Sequence, residues 1–207
     1  YIGLGIKGYP YDLNQFYDDF WEWDQASNTW SRKAGFPGGA RAGAAGFSVG
    51  NKGYVGTGDG NRDYFRLGLS GDPAWSMPPT GHDGLYADFW EYDQASDTWT
   101  RKADFMGSAR KGAIGFSVGS KGYIGLGQDP LSGLVGLAQD IWVWDQASDS
   151  WTKIGDFVGT SRTSYTGGSF GNMGYLAGGF IWTDGETSFN SILVLSDLWL
   201  IDLTGTE

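Results

Sequence analysis

The amino-acid sequence predicts an all-β fold built from repeated four-stranded antiparallel sheets, and three observations support this. Glycine is abundant, with 36 of 207 residues, and aromatic residues make up 16% of the chain, whereas charged residues make up only 18%. This composition suits short strands joined by tight turns, with flat rings packed between the sheets. An aromatic motif also recurs four times along the chain. Such sheets arranged around a common axis form a β-propeller, which is the fold class that we predict.

The recurring motif begins and ends with an aspartate. Its copies are Asp19-Phe-Trp-Glu-Trp-Asp24, Asp88-Phe-Trp-Glu-Tyr-Asp93, Asp140-Ile-Trp-Val-Trp-Asp145 and Asp197-Leu-Trp-Leu-Ile-Asp202. The β-forming residues predict the third strand of each blade. The first three copies continue as Asp-Gln-Ala-Ser, a turn that the aspartate caps, and lead to a tryptophan that starts the fourth strand. Because these tryptophans recur in each blade, we expect them to pack between blades: Trp21, Trp90, Trp142, Trp199, Trp30, Trp99 and Trp151.

The other half of each repeat begins at an arginine. Residues 41–49 are rich in Ala and Gly, which predicts an innermost strand at the crowded centre of a propeller. A Gly-rich turn follows, and then Tyr54 opens a second strand. Equivalent segments follow Arg110 and Arg162, and residues 1–5 repeat the second strand alone.

The spacing of the repeats separates a constant part from a variable part. From each closing aspartate to the next repeated tyrosine the interval is 30 residues in all three cases, whereas from tyrosine to closing aspartate it varies from 22 to 39. All length variation therefore lies between the second and third strands, in residues 6–18, 59–87, 128–139 and 180–196. We predict one propeller or propeller segment over residues 1–207, with blades at about 1–35, 41–104, 110–156 and 162–207.

These motifs resemble the kelch repeat family over nearly the whole chain. The matching features are the Gly-rich strand, nearest to the family pattern at Tyr175-Leu-Ala-Gly-Gly179, the aromatic-Asp pair and the tryptophan about six residues later. The Asp-x-Phe-Trp variant looks like secreted bacterial kelch proteins of the galactose-oxidase-like type. The family's proline after the aspartate is Gln25, Gln94 or Gln146 here, a difference expected to affect the stiffness of the turn.

The outer repeats are incomplete in the sequence. The first repeat has no innermost strand, and the last has no outermost strand. The repeats fit either a four-bladed ring or successive blades of a ring of six or seven, and we favour the larger ring. We interpret the chain as an open segment of a ring, and we expect the strand edges at both ends to pair with other polypeptide.

Long connections on a rigid scaffold are where binding residues concentrate. The longest one predicts a ligand or partner site at Tyr64, Arg66, Trp75, His82 and Tyr86, and Trp182 in another connection is a further candidate. For Trp75 and Trp182, packing within the connections is the favoured alternative. Arg41, Arg110 and Arg162 form a second candidate set, because arginines ringed at a channel mouth suit carboxylate or sulfate. Their repetition favours the alternative, structural ion pairs with Asp19, Asp88, Asp140 and Asp197. The pairs Arg32-Lys33, Arg101-Lys102 and Arg110-Lys111 are expected to be exposed.

No cofactor is predicted. Asp59, Asn61 and Asp63 alternate oxygen donors as a calcium loop does, but the sixth position is Tyr64 and the twelfth is Ser70, so turn capping is favoured over calcium. Galactose oxidase chemistry requires copper held by Tyr and His ligands and a Cys–Tyr crosslink. One histidine and no cysteine argue against copper in these residues.

Charge limits the partners. The net charge of −10 disfavours nucleic acid, and no apolar run is long enough to span a bilayer. We favour a non-enzymatic interaction module, extracellular or on a bacterial cell surface, that binds protein or glycan through the long connections. The alternative is a carbohydrate-active enzyme, mutarotase- or oxidase-like, with a site at the channel mouth. A third hypothesis is a structural subunit that assembles through the open edges.

Overall fold

The structure, a computed structural model, describes residues 1–7, 15–60, 84–129, 136–162, 165–183 and 191–203. These residues form sixteen strands: β1 (Ile2–Lys7), β2 (Gln15–Asp24), β3 (Thr29–Arg32), β4 (Ala45–Val49), β5 (Lys52–Gly56), β6 (Phe89–Asp93), β7 (Thr98–Arg101), β8 (Ile114–Val118), β9 (Lys121–Gly125), β10 (Asp140–Asp145), β11 (Ser150–Asp156), β12 (Thr166–Phe170), β13 (Met173–Ala177), β14 (Phe180–Thr183), β15 (Ser191–Val194) and β16 (Leu198–Asp202). Within these ranges no helix is long and apolar enough to cross a membrane.

The strands form the predicted antiparallel blades, which confirms the fold class. Blade 2 has the order β4-β5-β6-β7, and blade 3 has the order β8-β9-β10-β11 from its inner to its outer strand. Blade 1 contains β1-β2-β3, and blade 4 contains β12-β13-β16, so each shows three strands among the described residues. The innermost strand β8 contacts both β4 and β12, which places the blades side by side in chain order.

The turn between the third and fourth strands has the capped form that its residues predict. The Asp24 carboxylate accepts a hydrogen bond from the Ser27 backbone N–H at 2.7 Å, and Asp145 accepts the equivalent bond from Ser148 at 2.9 Å. The last turn residue adopts a positive φ, 55° at Asn28 and 48° at Asp149. Asn and Asp tolerate this conformation better than other non-glycine residues, which explains why these types occupy the position.

The core lies between neighbouring blades. Between blades 2 and 3, the ring of Phe89 packs edge-on against Trp144 and Trp151, at centroid distances of 5.2 and 5.0 Å. The Trp151 indole N–H also donates to the Ala103 carbonyl of the preceding blade at 3.0 Å. The prediction that the repeated tryptophans pack between blades is confirmed at this boundary, and Trp99 repeats both interactions at the boundary of blades 1 and 2.

Three sequence-based boundaries are corrected. The innermost strand of blade 2 begins at Ala45 rather than at Arg41, because residues 41–44 form an arm outside the strand ladder, with an isolated β-bridge from Ala42 to Asp59. In blade 1, β2 begins at Gln15, inside the predicted variable connection. The last connection contains a hairpin, in which β14 pairs with β15 from Phe180 opposite Val194.

Candidate functional site

The ends of the blades that carry the long connections also carry the repeated arginines. The Arg110 guanidinium donates to both carboxylate oxygens of Asp140, at 2.5 and 3.0 Å, and to the Leu126 carbonyl at 3.1 Å. Arg41 makes the same contacts with Asp88, at 2.5 and 2.9 Å, and with the Thr57 carbonyl at 2.9 Å. Arg162 pairs with Asp197 in the fourth blade.

These ion pairs confirm the structural alternative for the arginines with Asp88, Asp140 and Asp197, whereas none of the three arginines pairs with Asp19. Their side chains are at most 1% exposed, and each guanidinium already holds a carboxylate, so binding of a ligand anion by them has no structural support and stays a prediction. Burial alone would raise the pKa of Asp140, but hydrogen bonds from Arg110 and Trp142 outweigh it and lower the pKa below its usual range. Hydrogen bonds from Arg162 and Trp199 lower the pKa of Asp197 more strongly.

Tyr86 is the described member of the predicted ligand set in the longest connection. Its ring lies over the Arg41 guanidinium, 3.7 Å from the guanidinium carbon to the ring centroid, so the tyrosine covers the ion pair of Arg41 with Asp88. Tyr64, Arg66, Trp75 and His82 lie outside the described residues, as do Asn61 and Asp63 of the calcium candidate. Trp182 lies in β14 opposite Ile192, and its side chain is outside the description.

A buried ion pair joins blades 2 and 3 beside the arginines. The Lys111 ammonium donates to an Asp59 carboxylate oxygen at 2.8 Å, and the Asp59 side chain is 3% exposed. Burial lowers the pKa of Lys111, and the charge of Asp59 partly offsets that effect. The prediction that Arg110 and Lys111 are exposed is therefore wrong, because both side chains have carboxylate partners inside the protein. The sequence held one signal of this burial, since Arg110 precedes a segment of small residues that leads into the innermost strand β8.

The Asp59 contact also bears on the calcium candidate. Asp59 already accepts the hydrogen bond from Lys111. Within the described ranges, no three His, Cys, Asp or Glu side chains come together as a metal would require.

A cavity of about 650 Å³ lies elsewhere, between blades 1 and 2. It runs along β1 on one side and β4 on the other, and Phe20, Tyr92 and Trp99 contribute to its wall. The cavity therefore lies where blade 1 would carry an innermost strand, and not among the long connections where sequence reasoning expected a ligand.

Comparisons with known proteins support the fold. No family model matches the chain. The solved structure of YjhT aligns with a TM-score of 0.74 at 17% identity, over 97% of this chain and 65% of that one. A stretch of 71 residues, 33% of the chain, is 39% identical to 16% of the N-acetylneuraminate epimerase of Vibrio cholerae serotype O1. The chain thus spans less than two thirds of both proteins. Together with the blades described above, the likeness to YjhT shows a β-propeller fold, and both likenesses support its kelch-like character.

Proposed function

We propose that this chain is part of a carbohydrate-recognising propeller, and that the face formed by its long connections binds an acidic sugar. The observation that carries the proposal is the 39% identity over 71 residues with a protein named for N-acetylneuraminate. That compound is a sugar with a carboxylate, so a cationic group on the binding face would be required.

The fold supplies a reason for placing the sugar on this face. Ion pairs from Arg41, Arg110 and Arg162 to their aspartates hold one end of the long connection in blades 2, 3 and 4, which gives those connections a rigid support. The predicted ligand residues Arg66 and His82 belong to the longest connection, and the Lys111–Asp59 pair lies at its base. Against a net charge of −10, such local cations would give an anionic sugar a specific place to bind.

Calorimetry with N-acetylneuraminate, and with a neutral hexose as the ligand control, tests the proposal. We expect saturable binding of the acidic sugar alone, weakened about tenfold or more in Arg66→Ala because a charge-assisted hydrogen bond is lost. Arg101→Ala is the matched control, since Arg101 is exposed and pairs with Asp104 on an outer strand. Absence of heat with N-acetylneuraminate at millimolar concentration, in a folded sample, would contradict the proposal.

A second candidate function is a sugar epimerase or mutarotase, because the relative with the 71-residue match is named as an epimerase. Proton NMR of N-acetylneuraminate in deuterated buffer would reveal epimer exchange or anomer exchange directly. Catalysed exchange that disappears in Arg66→Ala and persists in the Arg101→Ala control would replace the binding module with an enzyme. Arg110→Ala is a poor probe here, because it would break a buried ion pair and unsettle the fold. The extracellular or cell-surface location stays a prediction.

A further inference from the structure

Two buried carboxylates of the chain, Asp59 and Asp129, are not part of the repeat. The positions equivalent to Asp59 in blades 1, 3 and 4 hold Ile6, Gln128 and Phe180, and the position equivalent to Asp129 in blade 2 holds Gly60. The other buried polar or charged residues among those that the structure describes are Thr57 and the repeated arginines Arg41, Arg110 and Arg162. Because burial of a charge is costly, a buried carboxylate that the repeat does not require indicates a particular role.

Asp59 lies where the longest connection leaves blade 2. Both ends of this connection, residues 58–60 and 84–86, pair with each other in a segment that we call the neck of blade 2. Asp59 makes one β-bridge to Ala42 of the arm and another to Leu85 at the far end of the connection. The Gly60 N–H donates to the Gly84 carbonyl at 2.8 Å. The neck therefore fixes the direction in which the connection leaves the blade.

The connection of blade 3 has an equivalent neck, formed by residues 127–129 and 136–138. Gln128 makes one β-bridge to Lys111 of the arm and another to Leu137 at the far end of the connection. The Asp129 N–H donates to the Gly136 carbonyl at 2.7 Å. Since the two necks belong to neighbouring blades, a residue that joins them fixes the two connections relative to each other.

Lys111 contacts both necks. Its backbone exchanges two hydrogen bonds with Gln128 in the neck of blade 3, at 2.8 and 3.1 Å. Its ammonium donates to the Asp59 carboxylate in the neck of blade 2 at 2.8 Å. The preceding residue, Arg110, accepts a backbone hydrogen bond from Gly58 of the same neck at 2.7 Å. The arm of blade 3 thus holds both connections at their bases.

The sequence limits this charged link to one boundary of the propeller. The equivalent positions hold Ile6 with Ala42 at the boundary of blades 1 and 2, and Gln128 with Thr163 at the boundary of blades 3 and 4. Neither combination can form an ion pair. Moreover, apolar residues in place of a buried ion pair are often as stable or more stable. The pair at positions 59 and 111 therefore indicates a role other than stability.

A second group of hydrogen bonds ties the neck of blade 3 to its arginine. The Ser108 hydroxyl donates to the Asp129 carboxylate and accepts a hydrogen bond from the Arg110 guanidinium at 2.9 Å. Arg110 in turn holds Asp140. The junction thus combines three carboxylates with two cations, namely Asp59, Asp129 and Asp140 with Arg110 and Lys111. Because carboxylates of the chain already match both cations, the junction suits support of the connections better than direct binding of an anion.

We propose that Lys111 is a positioning residue of the sugar-binding face: it joins the necks of blades 2 and 3, and the acidic sugar binds beside the boundary of these two blades. The inference rests on the proposed function, because it names the part of the face where recognition takes place. The connection that Lys111 holds carries the predicted ligand residues Arg66 and His82. Lys111 acts through this connection, and its ammonium stays with Asp59.

The double variant Asp59→Ile/Lys111→Met tests the proposal. It replaces the ion pair by apolar side chains and puts at position 59 the residue type of the equivalent position 6. We expect a melting temperature close to that of the wild type, because the buried charges are removed together. Calorimetry should show binding of N-acetylneuraminate weakened about tenfold or more. A merely structural role would lower the melting temperature and leave the affinity of the folded chain unchanged.

Gln146→Ala is the matched control, because it breaks a contact between the same two blades at their opposite ends. The Gln146 amide donates to the Tyr54 hydroxyl at 2.7 Å, on the side of the short turns. This variant should keep the wild-type affinity for the sugar. An equal loss of affinity in Gln146→Ala would overturn the proposal, because general loosening of the boundary would then explain the effect.

Hydrogen exchange of the wild-type chain locates the sugar without any variant. N-acetylneuraminate should slow exchange in residues 57–60, 108–113 and 126–129, and should leave residues 1–7 and 173–179 unchanged. If the sugar binds but protects blade 1 or blade 4 instead, or if the folded double variant binds it as tightly as the wild type, the proposed function stands and the role of Lys111 is overturned. If the wild-type chain binds no acidic sugar, both fall.

Discussion

Blades 1 and 3 contain the same repeated residues in different surroundings. Trp151 in blade 3 is 8% exposed and packs on Phe89 and Phe105, whereas Trp30, its equivalent in blade 1, is 51% exposed. Likewise, Asp140 in blade 3 binds Arg110, and Asp19 in blade 1 has no described cation partner. The difference teaches that the same repeated side chain is buried and paired only where an innermost strand and a neighbouring blade contact it, as nearest-neighbour packing in repeat proteins requires.

The largest difference in the free energy of unfolding is expected between variants of the equivalent aspartates Asp140 and Asp19. Asp140→Ala leaves the Arg110 guanidinium buried without its carboxylate, which should lower the free energy of unfolding by about 3 kcal/mol. Asp19→Ala removes one hydrogen bond from Trp21 and should cost about 1 kcal/mol. Urea denaturation followed by tryptophan fluorescence measures both values. Equal losses in the two variants would show that the arginine pair contributes little.

Variants of the equivalent tryptophans Trp151 and Trp30 should show the next largest difference in the free energy of unfolding. Trp151→Ala empties a closed site between two blades and removes the hydrogen bond to the Ala103 carbonyl, at a cost of about 3 kcal/mol. Trp30→Ala removes a half-exposed ring and should cost about 1 kcal/mol or less. Thermal unfolding of both variants by circular dichroism provides the measurement. A cost for Trp30→Ala as large as that for Trp151→Ala would mean that blade 1 is also covered in solution.

Much of this pattern could be predicted from the sequence. The fixed interval of 30 residues and the repeated tryptophans indicated the blades, their order and the packing between them, because neighbouring copies of one motif must bury the same face. The arginine–aspartate pairs were predictable for the same reason, since a charge that recurs in each blade requires a recurring partner. The hairpin of β14 and β15 was not, because it lies in a connection that has no second copy.

Other features depend on contacts between blades that no motif shows. Gln146 replaces the proline of the kelch pattern and donates to the Tyr54 hydroxyl of the preceding blade at 2.7 Å, and Gln94 likewise donates to Glu22 at 3.0 Å. The glutamine therefore joins two blades, besides any effect on turn stiffness. Lys111 was also misjudged, because its partner Asp59 lies 52 positions earlier in the chain.

Substitution of two equivalent glycines, Gly122 and Gly53, should change the free energy of unfolding by smaller amounts. A Cβ on Gly122 would meet the Phe47 ring at 2.0 Å, so Gly122→Ala should cost about 1–3 kcal/mol through displacement of that ring. A Cβ on Gly53 would make only ordinary contacts, the nearest with the Tyr92 Cβ at 3.7 Å, and its φ is not in the left-handed region. Gly53→Ala should therefore be neutral or stabilise by about 0.5 kcal/mol through the unfolded state. Chemical denaturation of both variants checks the difference. A destabilised Gly53→Ala would show that the space above Gly53 is occupied.

The smallest effect concerns acid stability. Hydrogen bonds from Arg110 and Trp142 lower the pKa of Asp140 in the folded chain, despite the opposing effect of burial, whereas the unfolded pKa is about 3.9. A carboxyl whose pKa is depressed by folding contributes stability that is present above the unfolded pKa and is lost as the pH falls through the folded pKa. The free energy of unfolding should therefore decline below about pH 4. The decline should be less steep in Asp140→Asn, because asparagine binds no proton at this position in either state.

Asp104→Asn serves as the control for the acid measurement, because Asp104 pairs with Arg101 at a solvent-exposed site, where an ion pair contributes little to stability. Urea unfolding at a series of pH values from 6 to about 2.5 gives the slope for each variant. If Asp140→Asn keeps the wild-type slope, the ion pair of Arg110 with Asp140 is not a source of acid sensitivity. Other carboxyls whose pKa is lowered by folding would then account for it, such as Asp197, which accepts hydrogen bonds from Arg162 and Trp199.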